Sequence, residues 1–474
     1  MIDVTIHLIT GSKESLYQQI YEYFKEEIQS ANCIPGEKLP STRMLAKKLQ
    51  ISRNTVDMAY EQLEAEGYIE SIPCSGYYVN NIEDLYCPPK VHYTQGGQAE
   101  KEDIYWDFTK SDVDLSHFPF QAWRKVNKKV FEQETSIFQA GDAFGEPGLR
   151  NAIASYLHQA RGVNCKAENI IIGAGNEYLL LLLRTILKGE LIVGMENPTY
   201  YQAYHAMHSA GCTMEAIEMD DSGILVSELK QTKANLVYVM PSHQFPIGAV
   251  MPISRRMELL AWANEGERYI IEDDYDSEFR YKGRPIPALQ GYDRMGKVIY
   301  LGTFSKSIAP AIRVSYMVLP EKLMIRYKEE CGLFSITVSK MQQELITQFL
   351  NEGYFERNLN KMRTLYKGKR DLLLNQLKYL PENCRVYGEN AGLHLLVEID
   401  TPNSESHIIH CLKEEKMKVE GLQNYYIGKK KEEYKPTLIL NYGHLEPEEI
   451  RKSTEKLQQV LREEAPIGKK ESGR

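Results

Sequence analysis

Leu16, Ile20, Phe24 and Ile28 recur at helical spacing, and Pro35-Gly36 ends the pattern. Ser41 or Thr42 then caps a helix carrying Leu45 and Leu49, and Gln50-Ile51 make a turn. Ser52 caps a second helix with Val56, Ala59, Tyr60 and Leu63 on its inner face. Gly67 is placed as the cap that closes it, and residues 69–79 alternate around Gly76 as a small hairpin. The order predicts a helix-turn-helix followed by a wing, a unit spanning residues 1–80. Residues 81–103 carry Pro88-Pro89 and Gly96-Gly97 without a sustained apolar period and predict a linker. Fully extended, it would reach about 75 Å. From 104 to 464 apolar runs alternate with helical patterns, which predicts an α/β domain with strands at 170–172, 191–193, 236–240, 269–271 and 298–301. Residues 465–474 are expected to be a disordered tail.

Length and charge refine this picture. At 474 residues the chain exceeds one ordinary core, and 43% hydrophobic with 26% charged residues is a globular composition. A net charge of -8 excludes wholesale, non-specific binding to nucleic acid or membrane surfaces. It does not exclude a local basic patch. Between positions 39 and 55 stand Arg43, Lys47, Lys48 and Arg53 with no acid among them. Ser52, Arg53, Asn54 and Thr55 fall at the start of the second helix, where side chains reach base edges and amides meet phosphate. A solvated face on a protein-interaction module is the bland alternative; coincident caps, turn, basic cluster and wing favour double-stranded DNA.

The eight cysteines show no CxxC or other metal-ligand spacing, so no metal site is expected. With first residues unlike a signal peptide, they suggest a reducing cytoplasm. Residues 178–187 are strongly apolar, but they are few and include Arg184, which predicts a buried helix and not a membrane span.

Chemistry concentrates at the ends of the expected strands. The run 298–301 ends in Gly302-Thr303-Phe304-Ser305-Lys306, with Arg313 seven residues beyond the lysine. A lysine at the rim of a buried sheet suits a Schiff base with a carbonyl cofactor, and Thr303, Ser305 and Arg313 suit a phosphate. Gly173-Ala174-Gly175-Asn176 opens a helix after a strand and exposes amides to an anion. Glu272-Asp273-Asp274-Tyr275-Asp276 is either a solvated acidic loop or the source of a carboxylate for a metal or a protonated ring nitrogen. Tyr200, after Asn197-Pro198, either stacks on a flat ligand or packs in the core.

Two resemblances follow. Leu39-Pro40-Ser41, Arg43, Leu45-Ala46, Ser52-Arg53, Thr55-Val56, Ala59-Tyr60, Glu66-Gly67-Tyr68 and Gly76 make the first unit resemble the winged helix of GntR-type regulators. This implies operator contact through Ser41, Arg43, Ser52, Arg53, Asn54 and Thr55, with the wing near Gly76 on the minor groove or backbone. The ordered motifs of the larger part, with Gly145 to Arg150 and PSHQFP, resemble fold-type I pyridoxal-phosphate enzymes of the aminotransferase class. That resemblance implies an internal aldimine on Lys306, Asp273 on the pyridinium nitrogen, Tyr275 on the ring hydroxyl and Tyr200 against the ring. Gly175, Asn176, Thr303, Ser305 and Arg313 would surround the phosphate.

The combination is similar to the MocR/GabR subfamily, whose members form head-to-tail, domain-swapped homodimers and read a small amine or amino acid through the cofactor. The expected fold class is therefore multidomain: an α+β winged helix-turn-helix before an α/β aminotransferase-like domain. Two departures stand out. Phe245-Pro246-Ile247-Gly248 replaces the usual Asn-Pro-Thr-Gly, removing a donor to the ring hydroxyl. Tyr201, Gln202 and Lys435 stand where effector contacts, including an arginine, are expected. Three functions remain open: an amine-responsive regulator, a regulator of vitamin B6 supply with pyridoxal phosphate as effector, and a true aminotransferase, which both departures disfavour.

Overall fold

The computed structural model describes residues 6–81, except 10, 13 and 31, and residues 105–464, except 111, 112, 282, 284 and 429–433. But for Asn81, the linker and tail expected at 81–103 and 465–474 lie outside the described residues. The chain divides into two compact units, Met1–Lys101 and Glu102–Arg474.

The first unit holds helices α1 (Leu16–Gln29), α2 (Thr42–Leu49) and α3 (Arg53–Ala65), followed by strands β1 (Ile69–Ile72) and β2 (Gly76–Val79). The strands form an antiparallel hairpin with Ile69 opposite Val79. Ser41 Oγ accepts the Met44 amide at 3.3 Å and Ser52 Oγ accepts that of Thr55 at 3.2 Å. Both helices thus start where a hydroxyl satisfies an otherwise orphaned donor. Gln50 closes α2 in the left-handed region. Gly67 is not itself the cap of α3; that residue is Glu66, and Gly67 follows it at φ 78°. Tyr60 fixes α3 in place: its ring is fully buried, edge-on to Phe24 and Tyr77, and its hydroxyl donates to the Pro40 carbonyl at 3.0 Å.

In the second unit the main sheet contains β3 (Ile170–Gly173), β4 (Ile192–Asn197), β5 (Thr213–Asp220), β6 (Gly223–Ile224), β7 (Leu236–Val239), β8 (Tyr269–Asp274), β9 (Val298–Thr303) and β10 (Ser315–Val318). Among the described residues these eight strands run in the order β3-β10-β9-β8-β7-β4-β5-β6. The pairs from β9 through β5 are parallel, and β10 runs antiparallel between β9 and β3. The central strands β4, β7, β8 and β9 are buried almost throughout and begin as apolar runs. A smaller antiparallel sheet follows: β11 (Cys384–Tyr387), β12 (His394–Ile399), β13 (Glu420–Gly421) and β14 (Thr437–Asn441), in the order β11-β12-β14-β13. No helix among the described residues is long and apolar enough to cross a membrane.

One expectation needs correction. Glu272, Asp273 and Asp274 are not a solvated loop; they continue β8 and are buried. Alternation along the strand separates their partners. Glu272 accepts the amides of Leu289 and Gln290 at 2.7 and 2.8 Å. Asp274 takes Arg161 Nε at 2.8 Å and the Tyr300 hydroxyl at 2.6 Å, while Arg161 also donates to Ser242 Oγ. Arg161 and Asp274 are 4% and 6% exposed, so neither charge can fall back on water. Arg161→Leu is expected to lower the unfolding free energy of the larger unit by about 3–5 kcal/mol, because it strands a buried carboxylate. Urea denaturation checks this, and adding Asp274→Leu should recover part of the loss.

Candidate functional site

The parallel strands, together with β3, end at one edge of the main sheet, where open α/β sheets place ligands. A cavity of about 330 Å³ opens there. Asp273 reaches it from the end of β8, Met240 from just past β7, and Thr303, Ser305 and Lys306 from β9 and the turn beyond. Tyr200 enters after β4, and Asn176 enters from the first turn of α4 (Asn176–Ile186). Tyr275 and Arg313 also line it, as do the carboxylates of Glu177 and Glu420.

Asp273 is the electrostatic centre. Its carboxylate receives Asn176 Nδ2 at 3.1 and 3.2 Å and a short hydrogen bond from the Tyr238 hydroxyl. Burial nevertheless raises its pKa from 3.8 to about 7, and the two donors only partly offset that cost. Ser305 Oγ and Asn176 Oδ1 are buried without a hydrogen-bond partner among the described residues. Arg313 sits at φ 48°, in the left-handed region, and its guanidinium meets Glu177 at 3.1 Å. Gly175 permits this approach: at φ 107°, a Cβ there would come within 2.3 Å of Arg313 Nη2.

Part of the wall is aromatic. Phe245 lies edge-on to Tyr200 at 5.9 Å, to Tyr425 at 5.3 Å and to His394 at 5.1 Å between ring centres. Behind it, His243 Nδ1 stands 2.9 Å from Asp276 and 3.0 Å from the Tyr275 hydroxyl. Burial above all, with His243 adding to it, lowers the His394 pKa to about 4, so this ring is neutral at ordinary pH. Its Nε2 lies 2.8 Å from the Pro246 carbonyl, which as acceptor assigns the proton to that nitrogen.

The expected ligand residues therefore converge, with one departure. Gln202 lines the cavity and, with Tyr201, a neighbouring recess. Lys435 lines neither and instead approaches Glu398 at 3.9 Å and Asp400 at 3.4 Å. Sequence reasoning missed Tyr238, which sits inside an apolar run and reads as core. It also gave no role to His243 or Asp276, although both lie in motifs that drew attention.

The first unit carries its own surface. Arg43, Arg53 and Asn54 are exposed at the starts of α2 and α3, while the Ser41 and Ser52 hydroxyls are occupied as caps. Ser52 Oγ also lies 2.7 Å from Thr55 Oγ1. Arg53 is 68% exposed and pairs with Asp57 at 3.3 Å, an exposed ion pair that costs little to exchange for another anion. Gly76 begins β2 at φ 121°, with Lys38 beside it.

A large aminotransferase-fold unit carried with a winged DNA-binding head is the class that these two folds define. Comparison with known proteins agrees. Residues 104–464 match the family "Aminotransferase class I and II", and residues 16–79 match "Bacterial regulatory proteins, gntR family". A Bacillus subtilis protein described as the uncharacterized HTH-type transcriptional regulator YdeL is 40% identical over 462 residues, covering 96% of this chain and 99% of its own. The probable rhizopine catabolism regulatory protein MocR of Rhizobium meliloti is 31% identical over 399 residues, covering 80% and 81%. Among solved structures, the multiple substrate aminotransferase of Thermococcus profundus superposes with a TM-score of 0.70 at 25% identity, covering 77% of this chain and 93% of its own. The chain belongs to the GntR/MocR-type transcriptional regulators, which fuse a helix-turn-helix head to an aminotransferase-like domain.

The raised pKa of Asp273 has a measurable consequence. Between 3.8 and about 7 the folded protein holds a proton that the unfolded chain has released, so stability falls as pH rises through that window. In the ligand-free protein, Asp273→Asn is expected to flatten the pH dependence of the melting temperature there. An unchanged slope would place the titration elsewhere, on buried acids such as Glu272 and Glu278.

Proposed function

We propose that this chain is a pyridoxal-phosphate-dependent DNA-binding regulator that senses an amine or amino acid at Lys306. The observation that carries the reading is the pairing, in one cavity, of a buried carboxylate held by Tyr238 and Asn176 and an amine just past the adjoining strand end. The donor set fits the cofactor. Asp273 offers a charge for a protonated ring nitrogen, and Ser305 Oγ offers an unused hydrogen-bonding group beside Arg313 for a phosphate. Thr303, Gly175 and Asn176 flank that phosphate side, Tyr200 presents a ring to a flat ligand, and Tyr275 presents a hydroxyl held by its neighbours. When bound, the cofactor supplies a carbonyl carbon that one amine can take over from another.

The residues of this chain do the rest. Asp273 keeps the ring nitrogen protonated, the aromatic wall around Phe245 limits water, and Tyr201 and Gln202 meet the remainder of the effector. Phe245 supplies no hydrogen-bond donor, which favours sensing over turnover. Ser41, Arg43, Ser52, Arg53, Asn54 and Thr55 read the operator, with the wing at Gly76 on the backbone, in a head-to-tail homodimer.

Protein supplied with the cofactor should show an absorbance band near the visible edge, and Lys306→Ala should abolish it. Titrating a panel of amines and amino acids should move that band for the effector and change operator affinity in parallel. A band that no amine moves, with operator binding that follows the cofactor alone, would favour the vitamin B6 reading instead. Separately, Arg53→Ala should weaken operator binding by about 1–3 kcal/mol, measured by fluorescence anisotropy at fixed salt, and leave the spectrum unchanged.

A further inference from the structure

Outside the lining of the cavity at Lys306, the helix α5 (Glu405–Glu414) and the end of α6 (Pro447–Glu463) bring together three side chains of different chemistry. His407 and Cys411 are four residues apart on α5 and so share one face. Glu464 caps α6 and turns its carboxylate toward them. His407 Nε2 lies 3.0 Å from Glu464 Oε2, Cys411 Sγ lies 3.6 Å from Glu464 Oε1, and Cys411 Sγ lies 3.7 Å from His407 Nε2.

These groups make three corners, a nitrogen, a sulfur and a carboxylate that faces the nitrogen with Oε2 and the sulfur with Oε1, and one ligand atom from each residue lies within 4.8 Å of the other two. A tetrahedral zinc ion has bonds of about 2.0–2.3 Å to such atoms, which places its ligands about 3.3–3.6 Å from one another. The nitrogen–oxygen and nitrogen–sulfur separations, 3.0 and 3.7 Å, lie within a few tenths of an ångström of these values. The third corner is also held from behind: Asn403 Nδ2 donates to Glu464 Oε2 at 2.7 Å, as a hydrogen-bonded carboxylate ligand requires. Ser404 Oγ accepts the His407 amide at 3.2 Å and fixes the start of the helix that carries both other groups.

We infer that His407, Cys411 and Glu464 form a binding site for a divalent cation of the zinc class, with a fourth position open to solvent. The donor set selects the ion. Thiolate and imidazole suit zinc and its neighbours in the first transition row, whereas magnesium and calcium require several oxygens and find one carboxylate here. The side chain of His407 is 50% exposed and that of Glu464 is 20% exposed, so the ion can enter and a water can complete its shell. On binding, the Cys411 thiol gives its proton to solvent and the thiolate becomes the ligand. The bound ion would clamp α5 to the end of α6.

Sequence spacing alone hid the site, because one ligand comes from a different helix. None of its residues lines the cavity at Lys306, so its fate is independent of the cofactor reading.

Cobalt(II) is the probe, titrated into the full-length, chelator-treated protein. The expected result is a near-ultraviolet thiolate-to-cobalt band that saturates at one ion per chain and is displaced by zinc. Cys411→Ser should remove the band, and Asn403→Ala should weaken zinc affinity by about tenfold or more. Zinc should also raise the melting temperature of the native chain and not that of His407→Ala. No thiolate band, or a band that survives Cys411→Ser, would overturn the proposal.

Discussion

The site depends on keeping a carboxylate where water cannot reach it. An isolated charge buried this deeply is costly, and a protein normally answers by pairing it or by letting it take a proton. Asp273 stands between those answers. Tyr238 and Asn176 both donate to it, which favours the charged form, while burial pushes its pKa up to about 7. Its state is therefore set by whatever cation enters the cavity. Its neighbour Asp274, one residue along the strand, is paired with Arg161 and also accepts from the Tyr300 hydroxyl. Two adjacent acids on one strand thus serve opposite ends, one closing the core and one facing a ligand, because successive residues point to opposite faces.

That division makes sheet register part of the chemistry. β7 lies beside β8 with Tyr238 opposite Ile271, and β9 lies on the other side with Leu301 opposite Asp273. A slip of one residue would turn Asp273 into the Arg161 layer and expose Asp274 to the cavity. The buried partners of the flanking acids oppose this, Arg161 and Tyr300 on Asp274 and the amides of Leu289 and Gln290 on Glu272, and Lys306 follows three residues beyond the end of β9. The geometry of the cavity is thus fixed in part by buried polar pairs on the opposite face of the strand.

Much of this was legible in the sequence where local chemistry decides the structure. The caps at Ser41 and Ser52, the inward face of Val56, Ala59, Tyr60 and Leu63, and the apolar runs feeding Gly173 and Thr303 follow from spacing and side-chain type. What escaped was decided by tertiary partners. Three consecutive acids have low strand propensity, and distant partners offset their burial inside the sheet: the amides of Leu289 and Gln290 for Glu272, Tyr238 and Asn176 for Asp273, and Arg161 with Tyr300 for Asp274. β5 escaped because it mixes polar with apolar positions and is buried only in part. Tyr238 hid in an apolar run, since a hydroxyl's partner is not visible from its neighbours. Lys435 was assigned from its place in the chain, yet two acids on and after β12 lie closer to it than the cavity does.

Under the proposed reading, the source of specificity can be located by elimination. A ligand shifts an equilibrium only by the difference in its affinity for the two states, and a switch from about 1% to about 99% needs roughly a 10⁴-fold difference. Replacing the amine of Lys306 with another primary amine exchanges one carbon–nitrogen bond for a similar one, so the bond itself contributes little to that difference. The groups around the ring and phosphate are engaged in either case and discriminate little. What remains is the part of the effector beyond its nitrogen, together with the lysine side chain once it is released. The first meets Tyr201, Gln202 and the rim near Tyr425, where the cavity joins its neighbouring recess. The second carries a positive charge back into a wall shared with Asp273. Effector identity is therefore written at the rim, and the switching free energy is divided between that rim and the lysine's new surroundings.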